Sequence, residues 1–248
     1  MKKAMIVQLK RMVSGRFILV IVLIAALTLM LTFEWMSTQG GVWSGLKYGA
    51  GGIQYLTLYI LPAIAYSDTA ASEWENRASN YWIIRSGIVN YIIPKMVTAM
   101  LAGFLCVFIG YALYVLISSI WFPVYLHDGV IWQYETPMKQ GHYLVGYLLA
   151  LTDLGISGAV SAATGMTFSI LLKSRFAAVT APLVILLALI RITEGFLPEW
   201  MNPAAWMALS YLSDHEEALL YKAGAAMILI SLMMLAAYLG IKRRLEND

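Results

Sequence analysis

Cysteine occurs once in 248 residues, histidine three times, and charged residues make up only 12% of the chain. The lone Cys106 lies in an apolar run and excludes a disulfide framework within the chain. A soluble domain carries about 25% charged residues. This chain is 60% apolar with a mean hydropathy of +0.73, more apolar surface than a soluble core can use, so it is expected to be integral to a membrane. No glycine-rich loop ends in Gly-Lys-Ser or Gly-Lys-Thr, which excludes the usual cradle for ATP phosphates. His127, His142 and His215 fall in polar loops without metal-ligand spacing and read as surface histidines. Internal repeats, low-complexity tracts and inter-domain linkers are also missing, so residues 1–248 read as one domain.

Long apolar runs are what the chain does have. Crossing the roughly 30 Å hydrocarbon core takes about 20 apolar residues as a helix. Six segments come close, at about 17–35, 49–66, 93–121, 143–172, 177–192 and 221–241. The basic then apolar start, Met1 to Phe33, has the order of a secretory signal. However, no small-x-small cleavage site follows it and further spans come after, so it reads as a retained first span. Ahead of that span, Met5, Ile6, Leu9, Met12 and Val13 share one side of a helix and Lys3, Lys10 and Arg11 lie off it. That pattern predicts an amphipathic interfacial helix over 1–15, and the competing reading is a solvated basic leader. Before the last span, "LPEWMNPAAW" places Pro198 and Pro203 beside Trp200 and Trp206, which predicts re-entrant half-helices within 193–220.

The 17 lysines and arginines set the orientation. With the N-terminus inside, thirteen of them fall on the inner face and only Lys47, Lys139, Arg191 and Lys222 on the outer one. Both termini, 67–92 and 173–176 are then cytoplasmic, and 34–48, 122–142 and 193–220 are external.

Asp153 is the most expensive residue in the predicted spans, because an aspartate at a helix centre costs roughly 2.5–3.5 kcal/mol to insert. Arg191, on the fifth span at a similar depth, is its expected partner, and Glu194 competes for Arg191 on equal terms. Around Asp153 the run from Thr152 to Ser169 is small and polar, with Gly155/Ala159 and Gly158/Ala162 four apart. Two readings stand: a closely packed helix, or a face on a translocation path formed with Thr152, Asp153 and Arg191.

The longest wet and aromatic stretch on the inner side is "SDTAASEWENRASNYWIIRSG", Ser67 to Gly87. Ser72 and Glu75 have capping-box spacing, which predicts a helix from Ser72 to about Arg85 that Gly87 terminates. Trp74, Ala78, Tyr81 and Arg85 would form one stripe beside Trp82, and Glu73 and Arg77 an i,i+4 pair. The helix could lie in the headgroup layer. Its acidic cluster, Asp68, Glu73 and Glu75, argues instead for a protein groove, since an anionic leaflet repels carboxylates.

With the "YIIPK" that opens the third span, this segment resembles the cytoplasmic segment of type-2 ABC transporter permeases. The basic leader, six spans with both ends inside and the Pro/Trp-rich region before the last span match as well. The resemblance covers essentially the whole chain, though Asn80 and Trp82 depart from the small or aliphatic residues that family favours there. It implies an all-α membrane domain in a bacterial cytoplasmic membrane, forming half of an exporter's path for an amphipathic or peptide-like substrate. A second permease chain, the same or paralogous, and a cytoplasmic ABC ATPase would be its protein partners. ATP and Mg would sit on that ATPase, with no cofactor or nucleic acid bound by this chain. Glu73, Trp74, Glu75, Arg77, Tyr81 and Arg85 would then be ATPase-coupling residues. Two other classes stay in view. "EEALLYK", from Glu216 to Lys222, has a paired glutamate like that of CAAX-type intramembrane proteases, but Tyr221 stands where an arginine is needed. The other is a stand-alone immunity or scaffold protein of the membrane.

Overall fold

The computed structural model describes residues 2–39, 41–50, 55–126, 133–193 and 218–247, and these form helices and turns with no strand. Four helices are long and apolar enough to cross a membrane: α2 (Gly15–Gln39), α8 (Ile88–Ser118), α10 (Tyr143–Leu172) and α12 (Ala218–Asn247). The chain is therefore an all-helical membrane protein.

The expected second span is a chain of short helices, α3 (Val42–Ala50), α4 (Tyr55–Tyr59) and α5 (Leu61–Tyr66). Pro62 sits in the first turn of α5, where proline is favoured, and sets α5 off from α4, while residues 51–54 lie outside the described residues. The expected fifth span is α11 (Arg175–Thr193), 19 residues with Pro182 inside. The half-helices expected within 193–220, with Pro198, Trp200, Pro203 and Trp206, lie outside the described residues, as do Glu194, His127, His215, Glu216 and Glu217.

α10 is the central helix. It packs against α5, α8, α11 and α12, and 67% of its apolar window is buried, against 22% for α12. Its small residues allow this. A Cβ added at Gly103 of α8 would come within 2.2 Å of the Gly158 carbonyl oxygen and 2.6 Å of the Ala162 side chain. The two backbones thus touch along the small-residue face anticipated in the sequence. Hydroxyls along α10 bond mostly to backbone: Thr152 to Leu148, Thr164 to Val160, Thr167 to Ala163, and Ser161 across to Tyr59.

At one end of the bundle lie α1 (Lys2–Met12), α6 (Thr69–Glu75) and α7 (Ala78–Ser86). At the other end, α3 and residues 121–126 meet α9 (Glu135–Lys139), joined by Val42 N–H to Pro123 C=O and Trp43 N–H to Val124 C=O.

Candidate functional site

The segment expected as one helix from Ser72 to Arg85 is two. α6 begins earlier, with Asp68 at its N-cap and no side-chain cap bond, so Ser72 sits inside the helix and the capping box does not form. The break has a local cause. The Asn76 side chain and its backbone N–H both donate to the Ser72 carbonyl, and Arg77 takes a left-handed conformation (φ 58°). A glycine would tolerate that geometry more readily. Gly87 ends α7 as anticipated, with φ 82° and its N–H donating to the Ile83 carbonyl, and α8 starts one residue later.

α6 is pinned to the ends of most neighbouring helices. Glu73 accepts from Arg11 of α1 at 3.0 Å and from Tyr91 of α8 at 3.2 Å, and lies 3.0 Å from the buried Lys95 ammonium. It does not pair with Arg77. Glu75 meets Arg175 of α11 at 2.6 Å, and Arg175 also donates to the Ser72 hydroxyl. Asp68, just before α6, meets Arg16 of α2 at 3.0 Å. The Ala71 N–H donates to Ser169 of α10 at 2.8 Å.

Two cations lie over the Trp74 ring, Lys173 Nζ 4.6 Å and the Arg244 guanidinium 5.6 Å from its centroid. Arg244 itself donates to the Ile170 and Leu171 carbonyls at the end of α10, so one guanidinium of α12 closes that terminus and stacks on α6. Glu73 and Trp74, expected as docking residues, thus face their own chain. The carboxylates expected to repel lipid are each matched by a cation of this protein.

α7 carries the outward surface. Tyr81 and Ile84 share its exposed side, Ile84 being 83% exposed, while Ile83 is buried beneath them. Tyr81 accepts from Arg85 at 3.0 Å, and Arg85, Trp82 and Ser86 turn toward α1 and α8 instead.

At the far end the structure brings Asp153 to Lys222 rather than to Arg191. The Lys222 ammonium of α12 donates to Asp153 Oδ2 at 2.8 Å, and the Tyr134 hydroxyl donates to Oδ1 at 3.3 Å. Both charges are buried. α12 packs along α10, whereas α11 places Arg191 at an exposed position, so matched depth along the chain did not mean a matched face. Thr152 is also off this pair, its hydroxyl bonded within α10.

A second buried ion pair lies one residue from Tyr134 and was not anticipated. Glu135 accepts from Lys47 at 2.6 Å, from Tyr125 at 2.6 Å and from the Trp43 indole at 3.1 Å. Burial presses the Glu135 carboxyl upward, but these donors hold it below the ordinary carboxylate range. Lys47 and Glu135 are 88 positions apart on two short helices, α3 and α9, and no local pattern links them. Lys222 was more legible, as a cation in an apolar helical run that needs an acid just as Arg191 does.

No group of three or more metal-ligating side chains exists among the described residues. No family model, curated protein or solved structure matches the chain.

Proposed function

We propose that this protein is the permease subunit of a bacterial ABC exporter. It would form half of a translocation path for an amphipathic or peptide-like substrate and couple to a separate cytoplasmic ATPase. The observation that carries this is the anchoring of α6. A short helix held by ion pairs, a hydrogen bond or ring contacts to α1, α8, α10, α11 and α12 can pass a push on its partner α7 to the ends of several apolar helices at once. An interfacial helix that merely floats in headgroups has no need of such anchoring.

Relative to the sequence expectation, docking moves outward along the segment. Tyr81 and Ile84 would be the contacts on the ATPase, with Arg77 on the turn, while Glu73, Trp74 and Glu75 act as the internal mount. The N- and C-termini would be cytoplasmic, and a second permease chain would complete the path. Neither an intramembrane enzyme nor a scaffold has a use for a mount of this kind.

Affinity purification of the tagged chain from membranes of its own host tests the proposal. The wild-type preparation should hydrolyse ATP through a bound ABC ATPase, and the Tyr81→Asp, Ile84→Asp double variant should lose that activity while keeping its size-exclusion profile. A wild-type preparation without ATPase, or a variant that retains it in full, would overturn the proposal.

A further inference from the structure

Between α1, α7 and α8 lies a cleft of about 330 Å³ that the coupling scheme leaves unused. Arg11 of α1, Arg85 of α7 and Glu73 line it together with the apolar Val7, Trp82 and Pro94. Its charge balance is positive. Glu73 is shared between Arg11 and Lys95, whereas the bond of Arg85 goes to the neutral Tyr81 hydroxyl, and among the described residues Arg85 makes no ion pair. One guanidinium is therefore uncompensated beside a second that spends only part of its donor set. A guanidinium has five N–H donors arranged to fit phosphate or carboxylate oxygens.

The position narrows the ligand further. The cleft lies where the apolar run of α8 begins, and Ile6, Val7, Val13 and Val89 around it are exposed. In a protein whose long helices cross a membrane, this is the level at which headgroups meet hydrocarbon. A fully soluble anion would make no use of Val7, Trp82 and Pro94, and a zwitterionic headgroup would bring its own cation toward Arg85. We infer that this cleft binds the phosphodiester of an anionic phospholipid, with Arg85 and Arg11 on the phosphate oxygens and the start of an acyl chain against Val7 and Pro94.

Native mass spectrometry of the full chain in a zwitterionic detergent tests this, with phosphatidylglycerol, phosphatidylcholine and inorganic phosphate titrated separately. Phosphatidylglycerol should bind at least roughly tenfold more tightly than either of the others. Arg85→Gln should weaken it by roughly tenfold or more, as expected for a lost charge-assisted contact. Val7→Asp, at an exposed wall position away from the internal ion pairs, should weaken it similarly by setting a carboxylate in the cleft, and it decides the matter if Arg85→Gln proves unstable. Equal binding of phosphatidylcholine, or unchanged affinity in both variants, would overturn the assignment. Inorganic phosphate binding as tightly as the lipid would overturn the choice of an amphiphile.

Discussion

Lys222 and Asp153 show how far a single residue can be read without its neighbours. Asp153 was recognisable as a charge that must be answered, and the choice among cations depended on which helix faces α10. Removing one partner of a buried pair leaves a charge stranded and costs about 3–5 kcal/mol. Asp153→Asn and Lys222→Met should therefore each lower the unfolding midpoint in detergent, and the double variant should recover most of the loss. Pairing Asp153→Asn with Arg191→Gln should bring no such recovery, and recovery there in place of the Lys222→Met combination would contradict the assignment. Glu135 gives a prediction in pH. Its folded carboxyl titrates below the unfolded one, so its contribution is full above the ordinary carboxylate range and is lost as pH falls through the folded value. Wild type should thus lose stability below about pH 4, and Glu135→Gln should flatten that part of the stability profile while lowering stability at neutral pH.

At the scale of elements, the α6–α7 segment was legible as helical and stopped at Gly87, but not as two helices broken at Asn76 and Arg77. The break depends on Asn76 and Arg77, residues whose turn-forming use competes with helix continuation over a single turn. The acidic cluster misled for a different reason. Arg11, Lys95 and Arg175 reach Glu73 and Glu75 from three separate helices, so the neutralising charges are far away in sequence. If Trp74 is a mount and not a docking anchor, Trp74→Ala should speed amide exchange in α6 by roughly tenfold, the loss of about 1 kcal/mol or more of cation–π contact. Unchanged exchange with lost ATPase association would restore the outward role. The crossing of α8 and α10 makes a second forecast. Gly103→Ala must push the backbones apart and should cost about 1–3 kcal/mol, whereas Gly15→Ala, with open space around it, should not.

For the whole molecule, composition and apolar runs were enough to establish an all-helical membrane protein, and α10 spans the segment expected of it, 143–172. The second segment was less legible, because its hydropathy is that of a span while Pro62, in the first turn of α5, sets that helix off from α4. Orientation rests on the lysine and arginine asymmetry alone, although among the described residues α3 does meet residues 121–126 and α9, and α6 meets Arg175. The central claim is that the outward side of α7, Tyr81 and Ile84, meets an ATPase, while its Trp82 and Arg85 side faces the cleft toward α1 and α8. The most direct test places a photo-crosslinking amino acid at Ile84 in the chain expressed in its own host and irradiates intact membranes. A crosslink to an ABC ATPase subunit, abolished by Tyr81→Asp, is the predicted result. Adducts to phospholipid alone would contradict the claim and make α7 an interfacial helix.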